Sequence, residues 1–270
     1  MTKLQPWVLK VLANPITKKH CKQEDLKSIK GIIDARVYLK NTNGYDTWEF
    51  GQEDYISSRS KVHPTITAED YRHWILQSKP VYDYFKMTGR ILDVGGADGI
   101  VRQHLPKDIE FVSTDPWIDI ITGENDPVRA SVYTCLNSPL NFIGATAEFQ
   151  PFVSEVFDWV HMRSMLDHVQ VVDLALLEAN RVLKINGKIL IGLYVEGGKT
   201  GVISSYEKFK EFVKSGFELF GINRWKDHHL FHPTYEVLLK AITDNGFIVE
   251  DTFWQPGHND HICYIAAKKK

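Results

Sequence analysis

The stretch that most constrains this chain is Arg90-Ile-Leu-Asp-Val-Gly-Gly-Ala-Asp-Gly99. Ile91, Leu92 and Val94 make a short apolar run, as expected of a parallel strand buried on both faces. It stops in glycines at 95, 96 and 99. A strand that ends in a glycine turn and feeds a helix lets backbone N–H groups approach a ligand, because no Cβ intervenes. The dinucleotide spacing G-x-G-x-x-G is not met, since position 97 is Ala and position 100 is Ile. A second strand, Ile109-Glu-Phe-Val-Ser-Thr-Asp115, ends in a carboxylate 22 residues after Asp93. An acid about 20 residues beyond such a turn accepts hydrogen bonds from ribose hydroxyls. Asp115-Pro116 also suits the start of a turn, and the two roles are compatible.

Asp93, Gly95 and Gly99 match the acidic-x-Gly-x-Gly-x-Gly signature of class I S-adenosylmethionine (SAM) methyltransferases, with Ala97 in place of the middle glycine. Four further blocks follow in order: Gly144-Ala-Thr-Ala-Glu-Phe-Gln-Pro-Phe152, Val156-Phe-Asp-Trp-Val-His-Met-Arg163, Leu166-Asp-His-Val169 and Leu177 to Gly187, which contains Arg-Val-Leu-Lys. Over roughly residues 75 to 195 the chain resembles the type-11 methyltransferases, which act on small molecules and glycans. The resemblance implies an α/β, Rossmann-like, seven-stranded sheet with helices on both faces, the seventh strand inserted antiparallel between the fifth and sixth. It implies SAM as cofactor. Asp93, Gly95, Gly96, Ala97 and Gly99 would form its cradle, and Asp115 and Pro116 would meet the ribose. Thr146, Ala147 and Glu148 would lie by the adenine, and Met162 and Arg163 beside the sulfonium. Thr146 replaces a common acid, so the adenine contact is either its hydroxyl or Glu148, unless Glu148 is simply exposed at a strand end. Arg163 either meets an anionic substrate group or pairs with Asp167.

Methyl transfer to an alcohol requires loss of the hydroxyl proton, a task that suits an imidazole. His168 is therefore the candidate base, with a structural role as its alternative. Asp227-His-His-Leu-Phe-His232 supplies His229 and His232 as further candidates for holding acceptor hydroxyls. The histidine spacing lacks His-Glu-x-x-His and an evident third ligand, so no metal is expected. The favoured activity is O-methylation of a small polyhydroxylated acceptor, such as a glycan or secondary metabolite. N-methylation is the nearest alternative, and a non-catalytic SAM-binding or partner-activated protein is the alternative from another class.

The flanks are read from pattern and composition. Residues 1–62 are expected to form a small N-terminal module and residues 63–270 the methyltransferase domain, with a helical lid insertion at about 197–233. The first module faintly resembles a zinc ribbon. Asn14-Pro-Ile-Thr17 stands where such a ribbon has Cys-Pro-x-Cys, which excludes zinc bound in that way. Ile32-Ile33 and Val37-Tyr38-Leu39 read as short strands, and Asn43-Gly44 as a hairpin turn. The aromatics of Thr47 to Tyr55 pack the module on the core or line the substrate mouth. Thr67-Ala-Glu-Asp70 opens a helix that runs through Pro80 towards Phe85. A further helix is expected over Val172 to Lys184, closed by Asn186-Gly187, then a strand from Lys188 to Val195.

A net charge of −2 gives no basis for nucleic-acid binding, and no apolar run approaches the roughly 20 residues of a membrane span. Three scattered cysteines and no signal-peptide layout point to the cytoplasm. The expected partner is the small acceptor, sugar-containing or otherwise; oligomeric state is left open.

Overall fold

In a computed structural model, the described residues are all except 1–3, 43, 61–65, 97–98, 107, 119–126, 134–140, 204–228 and 259. The side chains of 54–60 are also outside the description. Ala97 and most of the helical lid insertion expected at about 197–233 fall among the residues not described.

The strands are β1 (Lys27–Ile29), β2 (Ile32–Asp34), β3 (Arg90–Val94), β4 (Glu110–Asp115), β5 (Phe142–Gly144), β6 (Phe157–Arg163), β7 (Leu183–Tyr194), β8 (Phe247–Trp254) and β9 (Ile262–Lys269). They form one sheet in the order β1-β2-β5-β4-β3-β6-β7-β9-β8. From β2 to β7 all neighbours are parallel, and β9 lies antiparallel between β7 and β8. That is the expected arrangement of seven strands, extended to nine by β1 and β2. The chain steps outward from β3 through β4 to β5, then returns to β6 on the other side of β3. This reversal opens a crevice beyond the carboxyl ends of β3, β4 and β6.

The central strands are apolar throughout because both faces of the sheet are covered, and successive side chains join different cores. Leu92, Val94, Ile189, Ile191 and Ile265 pack in one core, with α1 (Pro6–Val11), α5 (Val172–Val182) and α6 (Tyr235–Asp244). Ile91, Leu190 and Tyr264 pack in the other, against α3 (Ala68–Phe85) and the segment after α4 (Pro127–Val132).

The start of the chain contributes to the same sheet and the same core. Ile33 pairs with Ile143, and Val8 and Leu12 are fully buried in the core shared with β3 and β7. Asn14 Oδ1 accepts hydrogen bonds from the N–H groups of Ile16 and Thr17, closing the turn that a metal would close in a ribbon. The two strand expectations part here. Ile32-Ile33 is a strand, but Val37 to Leu39 is extended without sheet pairing, and Gly44 leads into α2 (Tyr45–Ser60) instead of a hairpin.

α3 begins as expected. Thr67 accepts from Asp70 N–H, and Asp70 accepts in return from Thr67 N–H at 2.7 Å, which holds the Asp70 carboxyl below its usual range. Pro80 lies within the helix. The closure expected at Asn186-Gly187 is corrected. α5 ends at Val182 and the chain passes directly into β7, because Leu183 already pairs with Phe157 at the sheet's far end. Thr234 caps α6. Among the described residues no helix is long and apolar enough to cross a membrane.

Candidate active site

A cavity of about 600 Å³ opens at the crevice. Its floor is the turn after β3, where Gly95 and Gly99 adopt φ of +73° and +70°. Gly95 N–H donates to Thr114 O at 2.8 Å, which carries the β3–β4 pairing to the start of the turn. Gly96 is constrained by space. A Cβ there would lie 2.1 Å from Asp93 Oδ2 and 2.3 Å from Ser113 Oγ.

Asp93 is buried, and its Oδ1 lies 2.7 Å from His161 Nδ1. His161 Nε2 lies 3.2 Å from Tyr82 Oη. Burial raises the Tyr82 phenol pKa well above its usual value, so the phenol stays protonated beside Nε2. A carboxylate, an imidazole and a phenol thus run in line from the glycine turn to α3. His161 appears in the fourth-strand block but was given no role from sequence. Its signal is present only in the sheet register, where it pairs with Asp93.

Asp115 ends β4 at the cavity wall, nearly buried, with Oδ1 accepting from Trp117 N–H at 2.8 Å. Its turn-starting role is therefore made, and the carboxylate still faces the cavity. Pro116 also lines the cavity, and its carbonyl accepts from Arg36.

Thr146, Ala147 and Glu148 line the wall, but two of their polar groups have structural partners. Thr146 Oγ1 donates to Val37 O at 2.9 Å. Glu148 is buried, not exposed at a strand end. Its Oε1 accepts from the N–H groups of Gln170 and Val171, just before α5, at 2.6 and 3.1 Å. Burial raises its pKa despite those donors.

Met162 is corrected. It is buried in the core between Val94 and Ile191, while Arg163, Ser164 and Met165 line the cavity. Strand alternation turns residue 162 inward, whereas Met165 packs against Gly95 beyond the strand end. Arg163 Nε donates to Tyr264 Oη at 2.8 Å. Trp48, Gly51 and Gln52 of α2 and Trp74 of α3 complete the wall. Trp48 also packs on Tyr38 and Tyr45 within the N-terminal segment.

His168 and His229 meet at the rim with ring centroids 4.4 Å apart, and both line the cavity. Leu230 N–H donates to Asp167 O at 2.8 Å and joins their two segments. His232 lies further out, its Nε2 3.1 Å from His229 O and its Nδ1 3.7 Å from Glu196. It is not part of the cavity wall. Asp167, His168 and His229 form a cluster whose ligand-type atoms lie within 4.8 Å of one another. The expectation of no third metal-ligand type near the histidines is thus corrected: the two segments, far apart in sequence, bring in Asp167.

Comparison with known proteins agrees with this geometry. Residues 92–191 match a family described as a methyltransferase domain. A ubiquinone/menaquinone biosynthesis C-methyltransferase, UbiE, from Rickettsia typhi is 26% identical over 148 residues, covering 52% of this chain and 58% of the relative. The chain therefore spans less than two thirds of that curated relative. A possible histamine N-methyltransferase from Thermotoga maritima superposes with a TM-score of 0.51 at 18% identity, covering 83% of this chain and all of that one. A protein from Pyrococcus horikoshii gives 0.55 at 17% identity, covering 80% and 99%. Residues 92–191 thus resemble a methyltransferase domain, and the surrounding α/β sheet has the Rossmann-like fold of such enzymes.

The residues present fit SAM. A carboxylate at the end of β4 faces a cavity whose floor is a glycine turn too close for side chains, and the cavity volume suits a nucleoside-sized ligand.

Proposed function

We propose that the chain transfers the methyl group of SAM to a hydroxyl of a small polyhydroxylated acceptor. The observation that carries this reading is the His168–His229 pair on the rim of the cavity that Asp115 and the glycine turn line. When bound, SAM supplies a methyl carbon activated by its sulfonium. The chain's own residues do the rest. Asp115 accepts hydrogen bonds from ribose hydroxyls, and Gly95, Gly96 and Gly99 admit the cofactor against backbone. Asp93, fixed by His161, buttresses the turn. Thr146 and Glu148 act on the adenine side by shaping the wall, with Ala147 beside them. Trp48 and Trp74 exclude water from the reacting centre. His168 accepts the hydroxyl proton at its ring nitrogen, and His229 orients the hydroxyl.

A second reading is favoured by the similarity to a C-methyltransferase: the methyl group goes to a carbon of the acceptor. Turnover of isotopically methyl-labelled SAM with polyols, glycosides and phenols, followed by NMR of the product, separates a methyl ether from a carbon-bound methyl. For the hydroxyl reading, His168→Ala is expected to lower kcat by roughly 10²- to 10⁴-fold. Its affinity for S-adenosylhomocysteine should stay unchanged. Undiminished turnover in that variant, or a C-methyl product, sinks the hydroxyl reading.

A further inference from the structure

We infer that Asp167, His168 and His229 form a divalent-cation site at the mouth of the cofactor cavity, where the cation holds oxygens of the acceptor. The site is independent of the methyl-transfer reading; what the cation does there rests on it.

Asp167 and His168 belong to a short 3-10 turn, Leu166–His168, which follows β6. His229 comes from the segment before α6, and the Leu230 N–H to Asp167 O bond fixes one segment against the other. His229 Nε2 lies 3.6 Å from Asp167 Oδ2, and His168 Nε2 lies 4.0 Å from Asp167 Oδ1. Donors sharing a metal with bonds near 2.1 Å stand roughly 3.0–3.4 Å apart. The cluster is slightly wider than that. Its imidazoles are 36% and 42% exposed, so small ring rotations close the difference without moving the core.

A second observation points the same way. Asp167 Oδ1 is shut off from solvent and has no hydrogen-bond donor among the described residues. A carboxylate oxygen in that state has lost its hydration without replacement, a deficit that a coordinated cation removes. Two imidazoles and one carboxylate select borderline ions such as Zn²⁺, Fe²⁺ or Co²⁺ over Mg²⁺ or Ca²⁺, which prefer all-oxygen sets. Three protein ligands leave coordination positions open, the pattern of a metal that takes substrate. Those positions suit adjacent hydroxyls of a polyhydroxylated acceptor.

Cation binding changes the part played by His168 from proton acceptor to ligand. The metal then lowers the pKa of the bound hydroxyl, whose proton leaves to solvent. The oxygen's electron pair forms the bond to the methyl carbon, and the pair from the breaking C–S bond stays on sulfur.

The test is titration of the full chain with Co²⁺, followed by visible absorption and calorimetry, with S-adenosylhomocysteine affinity measured in parallel. One equivalent of Co²⁺ is expected, with at least tenfold weaker binding in Asp167→Asn and in His229→Ala. Both variants should keep their S-adenosylhomocysteine affinity, which shows that they are folded. No stoichiometric binding, or binding undiminished in both variants, overturns the site. Chelation should raise the acceptor KM at least tenfold; an unchanged KM overturns the acceptor role. Failure of S-adenosylhomocysteine to bind while Co²⁺ still binds defeats the methyl-transfer reading and leaves the site intact.

Discussion

The floor and the rim of the cavity are built on different principles. The floor rests on three adjacent parallel strands, with Asp93 and His161 buried side by side and Asp115 nearly so. Asp93 is bonded to His161, His161 meets Tyr82 of α3, and Asp115 accepts from Trp117 N–H. The rim comes from a 3-10 turn and a loop, and its imidazoles are more than a third exposed. A floor of this kind tolerates almost no change in shape, since cores and their buried networks are close-packed. The rim can vary in chemistry while the fold stays the same, as loops carried on a rigid scaffold do. Under the proposed function, the cofactor meets the floor and the acceptor meets the rim.

The hardest way to strain that division is Gly96→Ala. The added Cβ would displace Asp93, which His161 prevents from swinging aside. We expect a loss of about 2–3 kcal/mol in S-adenosylhomocysteine binding, roughly 100-fold, together with a lower Tm. Unchanged affinity by calorimetry means that the floor is softer than described. Asp115→Ala should act on binding alone, by about 1–3 kcal/mol, since its loss removes acceptors for cofactor hydroxyls. An equal effect on stability with none on affinity makes Asp115 a turn residue only.

The smallest effect concerns what supports the floor from behind. Tyr82 stacks on His104, whose Nε2 lies 2.9 Å from Ser78 Oγ. Burial pushes the His104 pKa down to about 4. A base with a depressed folded pKa contributes stability that is fully present above its unfolded pKa of 6.5 and is lost as pH falls through 4. Discounted for partial exposure, that is about 1–2 kcal/mol. Denaturant unfolding at pH 7 and 4.5 should show a shallower pH dependence in His104→Phe than in the wild type. Equal slopes place the acid sensitivity elsewhere.

How legible each part was follows from the same contrast. The glycine turn and Asp115 could be read because each is a local pattern, an apolar run ending in a turn and an acid at fixed spacing; the strand order from β3 to β9 came with the family resemblance. Glu148 is expected on the wall, but its bonds to the N–H groups just before α5 are not legible, because Gln170 and Val171 become its partners only after folding. Met162 was misassigned because the sequence does not say which strand position is the last to face inward.

By itself, the sequence determined a doubly covered parallel sheet ending in a nucleoside-type turn, since backbone conformation and alternating burial are short-range properties. Only the tertiary structure decided that residues 27–34 extend that sheet, that Trp48 closes the cavity, and that Asp167 meets His229. Those contacts join segments far apart in the chain, and nothing in local propensity fixes them before the core assembles.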